Sequence, residues 1–140
     1  MADTRDERGL LDTSVVIDLE RIDRGSLPDQ AGVSAITLAE LAAGPHVARD
    51  PAERARRQDR LQRVEATFAP LPFDSAAARA FGRICSALKA KGRKARGRRA
   101  MDLLIAATAA AEGLPLYTSN PADFTGLGDL VDVRAVEIVD

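Results

Sequence analysis

Aspartate and glutamate placed at the ends of apolar runs are the residues in this chain whose types and spacing can do chemistry. Asp12 follows Leu10-Leu11 directly and is flanked by Thr13 and Ser14. A carboxylate just beyond a buried strand is costly unless hydrogen bonds or a cation compensate it. Glu40 lies three residues after Thr37, Asp102 precedes an apolar run, and Asp123 closes Asn120-Pro-Ala-Asp123. Each of these three also fits a helix-capping pattern. With 21 acidic residues in the chain, most must be solvated. Taken together, the four acids repel one another unless a divalent cation holds them ionised. Oxygen ligands without a Cys or His cluster select Mg²⁺ or Mn²⁺ over Zn²⁺. Such a centre suits phosphodiester hydrolysis. His46 is the single histidine, so paired-histidine acid–base chemistry is disfavoured.

The elements that must position these acids alternate between strand and helix. Gly9 to Leu11 reads as a strand, Ser14 to Arg21 as a helix, Pro28 to Gly32 as a turn and Val33-Ser34 as a brief strand. Ser34 or Thr37 can cap a helix carrying Ile36, Leu38 and Leu41, which Gly44-Pro45 ends. Asp50-Pro-Ala-Glu53 opens a charged helix to about Phe68. Ala69 to Phe73 reads as extended, and Asp74-Ser75 starts a helix to about Lys91 with Ala78, Phe81, Ile84, Cys85 and Leu88 on one face. Arg99 to Glu112 is the most apolar helix; Leu116 to Thr118 and Val131 to Val139 read as strands. This order predicts an α/β/α fold with a short, mostly parallel sheet, and 140 residues suit a single domain over 1–140. In such sheets ligands bind beyond the carboxyl ends of the strands, where Asp12 and the segment after Thr118 fall.

Charge is segregated along the chain. Between Ser75 and Met101 there are nine basic residues and no acidic one, against a formal net charge of −1 overall. Lys91, Arg93, Lys94, Arg96, Arg98 and Arg99 are therefore candidates to hold an RNA backbone near the acids. The single Cys85 forms no internal disulfide and reads as a small core residue. The charged Met1–Gly9 stretch has no apolar leader, and the nine-residue apolar window Leu103–Ala111 is too short for a membrane span. A cytoplasmic protein is expected. Ala55, Leu61, Val64 and Phe68 form a narrow apolar stripe which, with Leu38, Leu41 and the helix after Asp12, suits a partner helix, a homodimer contact or the chain's own core.

Four segments carry a family pattern: Leu10-Leu-Asp-Thr-Ser-Val-Val-Ile-Asp18, Ile36-Thr-Leu-Ala-Glu-Leu-Ala-Ala-Gly44, Met101-Asp-Leu-Leu-Ile-Ala-Ala106 and Thr118-Ser-Asn-Pro-Ala-Asp-Phe124. In this order the sequence resembles PIN-domain proteins, in particular the VapC-type toxins of bacterial toxin–antitoxin pairs. The resemblance implies a PIN-like three-layer α/β/α fold, Mg²⁺- or Mn²⁺-dependent endoribonuclease activity on RNA, and a tightly bound small antitoxin; a homodimer is also expected. It assigns Asp12, Glu40, Asp102 and Asp123 to the acidic centre, with Asp12 and Asp102 as metal ligands and Thr13, Thr118 and Asn120 in support. Asn120 and Asp123 compete for the fourth position. An aspartyl-nucleophile phosphatase is disfavoured because Ser14 stands where a second aspartate is needed. A non-catalytic RNA-binding or regulatory domain of the same fold is the alternative, distinguished by metal-dependent cleavage.

Overall fold

Four short strands pair in parallel in the computed structural model, which describes residues 7–92 and 98–139. They are β1 (Arg8–Leu11), β2 (Gln30–Gly32), β3 (Leu116–Thr118) and β4 (Val133–Ala135), in the order β2-β1-β3-β4. Parallel neighbours require crossovers over a sheet face. The β1-to-β2 crossover carries α1 (Thr13–Ile17); that from β2 to β3 carries α2 (Ala35–Ala43), α3 (Pro51–Thr67), α4 (Ser75–Ala90) and α5 (Arg98–Glu112).

Side-chain alternation along the strands creates two cores. Leu10 and Leu116 pack with Ala80, Ile84 and Leu88 of α4 and with Leu103, Ile105 and Ala106 of α5. Their neighbours Leu11 and Tyr117 pack with Val15 and Val16 of α1, Leu41 of α2 and Val64 of α3. Consecutive residues thus serve opposite layers, and the α/β/α arrangement follows. Burial of each such leucine contributes about 1.5–3 kcal/mol. Gly9 permits the close approach of Tyr117, because a Cβ there would lie 2.4 Å from the ring.

Helix starts follow their caps. Asp50 accepts from the Glu53 amide at 2.8 Å, Asp74 from Ala77 at 2.9 Å, and Ser34 from Thr37 at 3.0 Å, so Ser34 rather than Thr37 caps α2. Gly113, at φ 67°, ends α5.

Several boundaries differ from expectation. The predicted turn at 28–32 contains β2, because Gln30, Ala31 and Gly32 find ladder partners in Arg8, Gly9 and Leu10. The predicted strands at 33–34 and 69–73 shrink to one bridge between Ser34 and Leu71. The last strand covers only Val133–Ala135, with Ile138 bridging back to Ile22. The first helix begins one residue early, at Thr13, and stops at Ile17, followed by a 3₁₀ turn at Leu19–Arg21. Ile17 and Leu19 remain 45% and 36% exposed, so packing gives little support to a longer helix. On α4 the buried face is Ala77, Ala80, Ile84 and Leu88, while Ala78 is exposed and Cys85 half-buried. Among the described residues no helix is long and apolar enough to cross a membrane.

Candidate active site

The chain leaves β1 for β2 on one side and reaches β3 on the other, so the crevice between the carboxyl ends of β1 and β3 is a topological switch point. Asp12 stands there, 3% exposed. Its backbone amide donates to Tyr117 O at 2.9 Å. Oδ1 accepts from the Thr13 amide at 2.8 Å, capping α1. Capping uses one oxygen only; Oδ2 accepts from the Ser14 hydroxyl at 2.9 Å and from the Thr118 hydroxyl at 2.8 Å. Three donors compensate the buried charge and fix the carboxylate's plane. Those donors are held in turn, because Ser14 Oγ accepts from the Ser119 amide at 3.3 Å and Thr118 Oγ1 from the Asn120 amide at 3.0 Å.

Glu40 lies in the second turn of α2. The capping box with Thr37 is not formed, since Ser34 is the cap. Thr13 instead donates its single hydroxyl hydrogen to Glu40 Oε1 at 2.7 Å. The 2.9 Å contact between Thr13 and Thr37 hydroxyls therefore has Thr37 donating. Thr37 Oγ1 accepts from Ser34 Oγ at 3.3 Å, so three hydroxyl dipoles align toward the Glu40 carboxylate.

Asp102 is inside α5, which begins at Arg98, and so is no N-cap. Asp123 sits in a 3₁₀ turn, Pro121–Phe124, whose cap residue Asn120 makes no side-chain capping bond. The capping alternative thus fails for Glu40, Asp102 and Asn120, and is met by only one oxygen of Asp12.

All four predicted acids, with Thr13, Ser14 and Asn120, line one cavity of about 340 Å³. Thr118 is fully buried behind Asp12, to which its hydroxyl donates. Asn120 and Asp123 are exposed at the site, whereas Glu40 and Asp102 are half-buried. Three polar lining residues are absent from the sequence-based set: Ser14, Arg57 and Arg60. The two arginines are one helical turn apart on α3, a spacing visible in the sequence but masked by the charge that surrounds it. Arg57 donates to Glu53 Oε1 at 3.0 Å and to Gly44 O at 2.9 Å. Hydrogen bonds from Arg56 and then Arg57 lower the Glu53 pKa.

The predicted RNA-binding run is placed in part. Arg93, Lys94 and Arg96 lie outside the described residues, and Arg98 opens α5. Lys91 donates to Gly126 O at 3.0 Å. Arg99 is half-buried, with Nε and Nη2 lacking hydrogen-bond partners among the described residues. Among the described residues, the cations that line the acidic cavity are Arg57 and Arg60.

The predicted apolar stripe divides. Leu61 packs on the inner core and Ala55 is exposed, while Val64 and Phe68 line a groove of about 340 Å³ with Val16, Ile17 and Leu19. Leu41 is buried and borders the acidic cavity; Leu38 is half-buried.

Among the described residues, no three His, Cys, Asp or Glu side chains close into a ready-made metal cage. The donor set nevertheless fits a hydrated hard dication, which takes one or two carboxylates and keeps several waters.

Residues 9–128 match the family model of the PIN domain. The chain is 37% identical over 133 residues to Ribonuclease VapC5 of Mycobacterium tuberculosis, covering 93% of this chain and 95% of that protein. It is 34% identical over 135 residues to Ribonuclease VapC of Rickettsia bellii, covering 94% and 98% respectively. Its fold is similar to that in the crystal structure of VapBC-5, a member of the VapBC family of toxin–antitoxin systems from Mycobacterium tuberculosis. That match has a TM-score of 0.80 and 37% identity, covering 94% of this chain and 98% of that one.

Proposed function

Because the chain belongs to the PIN-domain family, we propose that it is a divalent-metal-dependent endoribonuclease, a single nuclease domain over residues 1–140 acting in the cytoplasm as the toxin of a toxin–antitoxin pair. The observation that carries this reading is the meeting of Asp12, Glu40, Asp102 and Asp123 in one cavity at the switch point of the sheet. A cluster of that kind is costly for a domain that only binds RNA, which disfavours the non-catalytic alternative.

Asp12 and Asp102 hold the cation, Mg²⁺ or Mn²⁺. Bound there, it supplies the Lewis acidity that makes water nucleophilic near neutral pH and offsets charge on the leaving oxygen. Asp12 presents a fixed carboxylate because Thr13, Ser14 and Thr118 hold both of its oxygens. Thr13 fixes Glu40 through Oε1, leaving Oε2 to take a proton from the attacking water. Asp123, with Asn120 beside it, supplies the fourth polar position at the open side of the cavity.

The apolar groove between α1 and α3 suits a helix or extended segment of a small antitoxin, and the relatives named for VapBC complexes support such a partner. A homodimer is the second assembly expected. The nuclease is tested by incubating the purified chain with total RNA, with Mg²⁺ or Mn²⁺, with chelator, and with the ion restored. Cleavage that stops and returns is expected; cleavage persisting in chelator overturns the mechanism. The partner is tested by co-expression with the short open reading frame expected beside this gene, which should copurify and inhibit.

A further inference from the structure

Helix α3 carries five arginines, and four of them have partners. Arg54 donates to Pro45 O at 3.2 Å, Arg56 pairs with Glu53, Arg57 is held by Glu53 and Gly44 O, and Arg63 pairs with Glu20 and Asp59 at 3.3 and 3.4 Å. Arg60 has no ion-pair or hydrogen-bond partner among the described residues. It is half-buried, and it is the arginine that lines both the acidic cavity and the adjoining groove between α1 and α3. A partly desolvated guanidinium without a counter-ion is poised for an incoming anion.

The cavity it borders carries four carboxylates, whose field opposes the approach of a polyanion. A cation supplied at the active centre neutralises part of that field but does not hold phosphates on either side of the reacting one. We propose that Arg60 is a substrate-positioning residue that binds a backbone phosphate of the RNA adjacent to the scissile bond, directing the strand out of the acidic cavity toward the α1–α3 groove; this rests on the ribonuclease reading above. Arg57 does not take this role, because its guanidinium is spent on fixing Gly44 and Glu53, and so it shapes the cavity wall rather than gripping substrate.

The test uses the full chain. In an Asp12→Asn background, binding of a mixed-sequence single-stranded RNA pool is titrated against salt with and without Arg60→Gln. One lost phosphate contact lowers the magnitude of the log–log salt slope by about 0.7. The affinity falls on the order of tenfold, as for a charge-assisted hydrogen bond. Arg60→Lys keeps the slope and recovers part of the affinity, since it retains the charge but not the planar fork. Arg56→Gln makes the same charge change on the same helix outside the cavity and leaves the slope unaltered. In the cleaving protein, Arg60→Gln raises KM while kcat and the metal concentration for half-maximal activity stay the same. An unchanged slope and KM, or equal losses in Arg56→Gln, overturns the assignment. So does retained RNA binding with loss only of a protein partner. A wild-type chain that cleaves no RNA with metal refutes the ribonuclease reading instead, and the salt slope still decides whether Arg60 contacts phosphate.

Discussion

The Thr118 hydroxyl donates to Asp12 Oδ2 at 2.8 Å, joining the last residue of β3 to the carboxylate that follows β1. Thr118 is fully buried and Asp12 nearly so, so solvent offers no easy substitute for this donor. Thr118→Val keeps the shape and removes it, and also leaves the Asn120 amide without its acceptor. The expected stability loss is about 1.5–3 kcal/mol, the range for a hydrogen bond to a charged group, read from urea unfolding. Cleavage per folded molecule should fall as Asp12 loses its fixed orientation. A variant as stable and active as wild type would show that Ser14 and Thr13 hold Asp12 without help.

Asp12→Asn removes the charge with almost no change of volume. The Asn oxygen can still accept from the Thr13 amide, and the Ser14 and Thr118 hydroxyls can turn to accept from the new amide nitrogen. The fold is therefore expected to persist while cleavage falls by more than about a hundredfold, with a higher metal requirement. Gel assays across Mg²⁺ and Mn²⁺ concentrations, with circular dichroism for the fold, check both halves. Full activity in the variant removes Asp12 from the metal site.

The Thr13 hydroxyl relays three dipoles toward Glu40, and its loss acts on a residue elsewhere in the chain. Thr13→Val leaves Glu40 Oε1 without this donor and Thr37 without its acceptor. A fall in kcat of about 10–100-fold is expected, the usual scale for groups that orient a site. Thr13→Ser should restore most of it. A purely structural role would lower stability in Val without lowering kcat per folded molecule.

The motifs made the acids legible as a set, although Glu40 and Asp102 lie inside helices; a carboxylate at a junction between elements also needs a reason to be there. Asp12 after Leu10-Leu11 is such a case, and the parallel sheet follows from the same alternation. The polarity of the Thr13–Glu40 bond was not legible, because 27 residues separate them and only the packing of α2 beside α1 brings the pair together. Arg57 and Arg60 were hidden for a different reason. A helix with five arginines reads as solvated, and which one faces a cavity depends on how α3 is rotated against α2 and α1. The strand at Gln30–Gly32 was also obscured, since its turn-like residues gain their structure from pairing with β1.

Gly9 is a packing prediction. Alanine there places a Cβ 2.4 Å from Tyr117 Cε1 and 3.0 Å from Pro28 Cγ. The ring is part of a core and its hydroxyl is tied to Glu7 at 3.2 Å, so it cannot simply swing away. Gly9→Ala is expected to cost about 1–3 kcal/mol by overpacking, measured as a shift in the urea midpoint. No shift would mean that Tyr117 has room to yield.

Tyr117 also links stability to alkaline pH. Burial raises its pKa above 10.0, against the opposing pull of its Arg134 partner and with a further raising contribution from Glu7. The folded state therefore holds its phenolic proton more tightly than the unfolded state. The sign follows: this contribution is fully present below 10.0 and is lost as pH rises through the folded value. Urea midpoints for wild type should fall more steeply above that pH than those for Tyr117→Phe. Parallel curves would remove Tyr117 as the cause.

The fourth acidic position is decided between Asn120 and Asp123, both exposed and both lining the cavity. Their backbones are linked, because the Asp123 amide donates to Asn120 O at 3.0 Å. Asn120 is further fixed by its own amide, which donates to Thr118 Oγ1 one bond away from Asp12. Its side chain makes no capping bond, leaving its amide group available to substrate or water. Asp123 brings the negative charge that a divalent cation or its water shell responds to at short range. Asp123→Asn is accordingly expected to raise the metal concentration for half-maximal cleavage and to cut activity on the order of tenfold. Asn120→Ala should raise KM for RNA with little effect on the metal requirement. Neither change should alter stability by more than about 0.5 kcal/mol, since both side chains are exposed and outside the core. A double variant no worse than the stronger single variant would place both in one interaction. Should Asn120→Ala shift the metal dependence while Asp123→Asn does not, the fourth position belongs to Asn120, and Asp123 is a surface acid of the 3₁₀ turn.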